Sequence, residues 1–517
     1  MSDYFFYAFM KKKIIIAVIT FGISCILAFS QESKNLSQMS LNVLIQKDDS
    51  STLSSFGQAF SIVENSLRAM GFDKNNKDLK SLSFEFEGNV FWRHQGLKLL
   101  PQYDSTPLTA KLVYDIANSR LAYESTQESP GGFKNHRRLV REKKGGFNAD
   151  FYRGRMQELP NSTPEDLRYV LDRIPHLVLR RIMERPTSLR LVGKANFKNR
   201  PHDVVTALFG NTTANFYFDE KTALLSKYEF LIFDAFEGDV IQERIFEDYQ
   251  PIKGVMFPTI WRQTVANTLG QEYRYKGVEI DPPIDESFFK APELPKYSES
   301  SSGIYPKVSE IASGVFFLER IAFPYNLLFV EFADYIVVVE APVSSDACQR
   351  AIEIIKKTIP NKPIRYVIPT HHHDDHAGGL RPFVAEGATI LTTPKNKSFF
   401  EAMMQAKFIS QPDSLSRAPR PAKIEIIKDA KFVLTDGKQK LELYNIGLNP
   451  HTEEMLIAYL PQNGLVFQAD LWHGLPVNKT GLFFLEWLKK SKLSVQKIYG
   501  VHNEGITLEE IAALMAK

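Results

Sequence analysis

The stretch Thr370-His371-His372-His373-Asp374-Asp375-His376-Ala377-Gly378-Gly379 decides the reading of this chain. It follows a β-branched, apolar run, residues 364–368, and Pro369, and it leads into residues 380–386, which read as a helix. Four histidines and two carboxylates therefore share one loop between a strand and a helix. Written as spacing it is His-x-His-x-Asp-His, made by His371, His373, Asp375 and His376. Imidazole nitrogen and carboxylate oxygen are the usual catalytic ligands of zinc. Alternate residues of an extended segment point the same way. His371 and His373 can then share one metal while Asp375 and His376 turn toward a second. The competing reading is a solvated, histidine-rich loop that takes up metal adventitiously. The strand–loop–helix context favours a motif with a mechanism.

The pattern resembles the signature of the metallo-β-lactamase fold superfamily. The resemblance demands further ligands downstream, at later strand ends. His451 in Asn449-Pro450-His451-Thr452, Asp470 after residues 465–469, and His502 in Gly500-Val501-His502-Asn503 meet that demand. It implies one zinc held by His371, His373 and His451, a second held by Asp375, His376 and His502, and Asp470 bridging the two. His372 and Asp374 are intervening positions, read as surface or supporting residues. His473, three residues past Asp470, lines the site without being a ligand. Two Zn²⁺ per chain are expected, and donors of this type leave iron and manganese open.

Two such cations would lower a bridging water from a pKa of about 15.7 to near neutrality. The implied function is a binuclear zinc hydrolase whose metal-bound hydroxide attacks a carbonyl or ester bond in a lactone, thioester, ester or β-lactam. Asp375 is the catalytic residue, orienting the nucleophile or carrying a proton. The chain departs from many relatives at Glu340-Ala341-Pro342, where they have Asp-x-Gly, and at Pro450, where glycine is common. Glu453-Glu454 also replaces small residues, and Asp470 stands where one class of β-lactamase has cysteine. None of these removes a ligand. Two other readings are an envelope carrier with a non-catalytic metal site and a di-iron redox member of the fold. The first is opposed by seven ligands without cysteine, since structural zinc sites are closed and usually Cys-rich. The second lacks a flavin-binding segment.

A chain of 517 residues suggests two or more domains. Net charge is +3, and no basic, aromatic-interleaved tract points to nucleic acid. Lys11-Lys12-Lys13, the apolar residues 14–29 and a small-residue exit form a signal peptide, residues 1–30, cleaved between Ser30 and Gln31. The expected location is periplasmic or secreted. An uncleaved anchor is the competing reading, and the run is short for a span of about 20 residues. Cys25 leaves with the signal, so Cys348 is the single thiol of the mature chain. Export without disulfides fits a bacterial periplasm. Cys348, on a helix over 345–358, reads as a buried structural thiol.

Residues 31–55 read as a flexible leader and 60–70 as a helix ended by Gly71. From Ser81 the period becomes two, and strands separated by tight turns run to residue 280. One helical segment, 163–185, interrupts them, with Thr163 as N-cap, Pro164 at N1 and Asp166 at N3. The order of Phe216-Tyr217-Phe218-Asp219, Asp248-Tyr249, Gly254-Val255-Met256-Phe257-Pro258 and Phe288-Phe289-Lys290-Ala291-Pro292 is similar to the half-barrel of periplasmic lipoprotein carriers. That likeness covers 56–292. It implies an apolar concave face, an amphiphilic or acylated small-molecule substrate, and peripheral membrane contact. A plain structural domain is the alternative. His94, His136, His176 and His202 are scattered here and read as ordinary core or surface residues. A linker over 293–303 leads to the catalytic domain, 304–517, whose element order implies an αββα sandwich. The fold class expected is α+β: that sandwich, preceded by a mainly antiparallel β domain with helices.

Overall fold

The computed structural model describes residues 51–72, 79–143, 145–298 and 305–516. The expected signal peptide and most of the leader lie outside the described residues. Among the described residues no helix is long and apolar enough to cross a membrane.

Residues 81–280 build one antiparallel sheet of 13 strands. Ser81–Phe91 and Thr268–Ile280 pair at its middle. From there one meander runs outward to Arg155–Glu158, and the other runs back from Arg190–Phe197. Alternation sorts the faces. Leu82, Phe84 and Phe86 are buried, while Glu85 and Glu87 are exposed. The buried face packs with Phe216, Phe257, Trp261 and Tyr273 against Ala59 and Val63 of the helix Ser51–Ala69 and Val178, Leu179 and Ile182 of the helix Pro175–Met183. The apolar face is thus covered by the chain's own helices. Each fully buried Phe there contributes about 1.5–3 kcal/mol.

Two parts of this half differ from expectation. The helix Ser51–Ala69 includes residues of the stretch read as leader. Residues 163–185 are not one helix but a 3₁₀ turn, Pro164–Leu167, a single turn, Arg168–Leu171, and the helix Pro175–Met183. Pro175 has no N–H to continue the first piece and disfavours helical backbone at Ile174, which is extended. The start is as marked: the Thr163 N–H donates to Asp166 Oδ2 at 2.6 Å.

The second half is two sheets face to face. A seven-stranded sheet runs from Lys307–Ala312 to Lys423–Ile426, and a six-stranded sheet from Lys431–Thr435 to Asn503–Ile506. Val330, Val337, Val339 and Ile368 of the first meet Leu441, Leu443, Ala458 and Phe467 of the second. The helices Ser345–Thr358 and Leu380–Glu386 cover one outer face. Lys479–Ser491 and Leu508–Met515 cover the other. This is an αββα sandwich. Lys307–Ala312 and Asn503–Ile506 are strands without a clear apolar alternation. Part of the expected linker is pinned rather than free. The Met156 N–H donates to the Pro295 carbonyl and the Tyr297 N–H to the Met156 carbonyl, both at 2.9 Å, which covers an edge strand.

Strict antiparallel order puts the turns after Phe91, Ser129 and Asp234 at one end of the 13-stranded sheet. That end sits on the sandwich, over the histidine-rich loop.

Candidate metal centre

Strand Ile364–Ile368 runs up the middle of its sheet and delivers Thr370 and His371 at its end. His373 is extended, at φ −61° and ψ 147°, and Asp374–Ala377 then form one helical turn. His371 and His373 therefore share a side, with ring centroids 4.4 Å apart. The turn brings His376 back to within 4.3 Å of His371. Gly378 and Gly379 permit this fold-back: a Cβ on the first would strike the Asp374 carbonyl, and on the second the Cys348 thiol. Cys348 is buried and reaches only the Pro342 carbonyl, at 3.5 Å, so it is structural.

The downstream residues arrive on loops shaped by their own side chains. Asn449 Oδ1 accepts from the N–H groups of His451 and Thr452, which sets the turn presenting His451. Gln468 Oε1 accepts from Leu471 and Trp472, which curls the chain around Asp470. Asn326 donates to the Gly500 carbonyl beside His502.

The seven residues converge as two groups sharing one carboxylate. His371, His373, His451 and Asp470 form the first; Asp375, His376, Asp470 and His502 form the second. Within each, one donor atom per residue lies within 4.8 Å of every other. Asp470 stands between them. Its Oδ2 is 2.9 Å from His451 Nε2, 3.0 Å from His376 Nε2 and 3.6 Å from His371 Nε2, while its Oδ1 is 2.8 Å from His502 Nε2.

The hydrogen bonds on the far sides of the rings decide which nitrogens face inward. Thr370 Oγ1 lies 3.0 Å from His371 Nδ1, the Gly96 carbonyl 2.9 Å from His373 Nε2, and Glu340 Oε2 3.1 Å from His376 Nδ1. The opposite nitrogens, His371 Nε2, His373 Nδ1 and His376 Nε2, are buried and make no well-aligned hydrogen bond, as is true of His451 Nε2; those of His376 and His451 lie against Asp470 Oδ2. An orphaned buried polar atom costs about 1–3 kcal/mol. Four of them aimed at one carboxylate fit a metal centre and fit little else. Burial, then the neighbouring imidazoles, hold His371 well below the usual histidine range. Burial and His451 do the same to His373. Burial opposes charge on His376 too, but Asp470, Asp375 and Glu340 outweigh it and hold this ring well above that range. A cation binding there would release that proton. Asp375 stays below the ordinary carboxylate range because His376 outweighs its burial.

Several residues with no sequence signature complete the centre. Glu340, the first residue of Glu340-Ala341-Pro342, is fully buried at φ +87° and takes both the Thr370 N–H and His376. Tyr325 donates to Asp375 Oδ2 at 3.0 Å, and its ring lies 4.8 Å from His502. From the other half, Phe133 sets its ring edge-on to His473 at 4.9 Å and to His451 at 6.0 Å. His372 is not a surface residue: it is 2% exposed and packed against His373, because the N-terminal half covers it. His94 is a core residue, 3% exposed, and its carbonyl accepts from the Asp374 N–H at 3.3 Å. His473 lines the site, stacked 5.3 Å from His502, and burial pushes it down to about 4.

The geometry is a sandwich of two sheets with two candidate metal-binding groups that share Asp470 at strand ends. Residues 334–471 match the family described as the metallo-beta-lactamase superfamily, consistent with a C-terminal domain of that fold. Solved structures similar to it include the metallo-β-lactamase FIM-1 from Pseudomonas aeruginosa in its mono-zinc form, at 19% identity, over 41% of this chain and 93% of that one, with TM-score 0.31. A metallo-β-lactamase from Pontibacter korlensis matches at 18% identity, over 41% and 100%, with TM-score 0.32. The inverting sec-alkylsulfatase Pisa1 from Pseudomonas sp. matches at 16% identity and TM-score 0.31, over 41% of this chain and 40% of its own. No curated protein matches the chain by sequence.

Proposed function

We propose that the protein is an exported hydrolase with two zinc ions that cleaves a carbonyl or ester bond in a small molecule bearing an apolar group. The observation that carries this reading is the gathering of buried imidazole nitrogens of His371, His373, His376 and His451 around Asp470, whose other oxygen faces His502. When bound, the metal pair supplies a water of lowered pKa and polarises the bond under attack. His371, His373 and His451 would hold one ion and Asp375, His376 and His502 the other, with Asp470 shared. Asp375, ionised at neutral pH, is the acceptor beside the reacting centre. His473 is neutral, and at 27% side-chain exposure it is placed to hydrogen-bond an entering substrate.

Phe133 supports an apolar substituent. Its ring walls the site next to His451 and His473, where a polar substrate would gain nothing from it. Export rests on the basic, apolar and small-residue pattern of residues 11–31.

The test joins metal content with a substrate panel. Protein purified without chelator should carry about two metal ions per chain by elemental analysis. β-Lactams, lactones, thioesters, esters and phosphodiesters, each with short and long acyl groups, are then run with wild type, Asp375→Ala and Phe133→Ala. Asp375→Ala should abolish turnover, and Phe133→Ala should raise KM for the acylated compounds about tenfold while sparing the short ones. A metal-free protein, or turnover that survives Asp375→Ala, would sink the reading.

A further inference from the structure

The metal loop belongs to the C-terminal domain, yet four consecutive residues of the N-terminal one hold it. The His94 carbonyl accepts from the Asp374 N–H at 3.3 Å. Gln95 Nε2 donates to Asp375 Oδ1 at 2.7 Å and also to Asp374 Oδ1. The Gly96 carbonyl takes His373 Nε2 at 2.9 Å. The Leu97 carbonyl accepts from the Glu453 N–H, two residues past His451, at 3.3 Å. Each partner is more than 270 residues away in sequence.

This segment is itself braced. Arg93 pairs with Asp234 at 3.1 Å and with Glu237 at 2.5 Å, and its side chain is 9% exposed. The His94 ring is wedged between Phe236, at 5.1 Å, and Phe399 of the C-terminal domain, at 5.4 Å. Trp92 Nε1 donates to Thr106, and the Lys98 N–H to Asp104 Oδ2. A hydrogen-bond partner orients a group only when it is itself fixed, and this segment is fixed from both sides.

We infer that the N-terminal domain is a working wall of the metal centre: residues 93–97 orient two ligands, and Gln95 is a positioning residue for Asp375. The two contacts do different things. The Gly96 carbonyl can only accept, so it keeps the proton on His373 Nε2 and leaves Nδ1 free to ligate. The Gln95 amide gives one hydrogen to each of two adjacent carboxylates. Asp375 therefore has one oxygen held by Gln95 and the other by Tyr325, and cannot rotate away from His376. A sandwich without its N-terminal partner would lose both constraints. This inference rests on the two-metal reading above.

Its test uses the full chain. Gln95→Met keeps the length and volume of the side chain but has no donor, and Gln95→Ala removes both. Zinc affinity is measured by chelator competition, and the coordination of each site by the visible spectrum of the Co²⁺-loaded protein. Met and Ala should behave alike: about tenfold weaker binding of one metal, a changed Co²⁺ band, wild-type affinity for the other metal, and an unchanged unfolding midpoint without metal. Wild-type affinity for both metals in Gln95→Met would overturn the inference, leaving Gln95 as a space filler. An earlier unfolding of the metal-free variants would also overturn it, since the loss would then be global. A wild-type protein that binds no metal would remove the metal reading and this inference with it.

Discussion

Both halves of the molecule bury histidines in apolar surroundings, and they treat them differently. In the 13-stranded sheet His202 is fully buried, with Nδ1 on the Arg200 carbonyl at 2.9 Å and Nε2 on Ser226 Oγ at 2.8 Å. His176 lies stacked on Phe257 and pushed down to about 3 by burial, so it is a neutral ring among rings; its Nε2 makes no hydrogen bond. In the sandwich, His371, His373 and His376 are as buried, and each has one nitrogen held from outside. The other nitrogens converge. Burial and a displaced pKa are therefore present in both halves, and neither marks a site. What marks it is several unsatisfied lone pairs pointing at one place, next to a carboxylate with two oxygens to share.

Removing the shared carboxylate should break this distinction most completely. Asp470→Ala leaves six of the seven candidate ligands, with no anion between the two groups. The protein should lose at least one metal ion by elemental analysis, and turnover should fall about 10³-fold, the loss expected of several kcal/mol of charge stabilisation. Retention of two ions at wild-type affinity would show that Asp470 does not bridge.

The outer hydrogen bonds offer a smaller and sharper contrast. Glu340 accepts from both the Thr370 N–H and His376 Nδ1. The amide of Gln can accept from one of these and must present a donor to the other. Glu340→Gln should weaken zinc binding about 10- to 100-fold in chelator competition. The matched change in the other half, Ser226→Ala, orphans His202 Nε2. It should lower stability by about 1–3 kcal/mol in denaturant unfolding and leave metal affinity untouched. Equal effects of the two on metal binding would erase the comparison.

How much of this was readable in the sequence follows the same division. Ligand spacing is local, so His-x-His-x-Asp-His announces itself, and strand ends announced by apolar runs supply His451, Asp470 and His502. The helices Ser345–Thr358 and Leu380–Glu386 have the expected bounds, because periodicity and caps act over a few residues. Glu340 was visible only as a departure from a family pattern. Its purpose depends on a partner 36 residues on, His376. Gln95, Gly96 and Phe133 carry no signal at all. Gln95 and Gly96 are turn residues and Phe133 opens a strand, and their meaning comes from which end of a 13-stranded sheet touches the sandwich; sheet-end parity cannot be counted until every strand is known. The Thr163–Arg185 region was misread for a local reason, since Pro175 was outweighed by a good N-terminal cap.

The smallest expected effect concerns the brace behind residues 93–97. Glu237 is held down to about 2 by its hydrogen bond with His94, with Arg93 adding to this and burial opposing it. A carboxylate lowered from an ordinary 4.5 contributes stability above that pH and loses it as the pH falls toward 2. The side chain is 37% exposed, so solvent screens much of the gain. The consequence is local: in metal-free protein, acidification from about pH 4.5 to 2 should loosen the Arg93 and His94 contacts before it unfolds either half. Hydrogen exchange of the peptide spanning residues 92–97, corrected for intrinsic rates, should rise over that window in wild type. In Glu237→Gln it should be faster at neutral pH and nearly flat across the window, because nothing at that position titrates. If both proteins show the same rise, the brace is set by Asp234 and packing, and Glu237 contributes only surface charge.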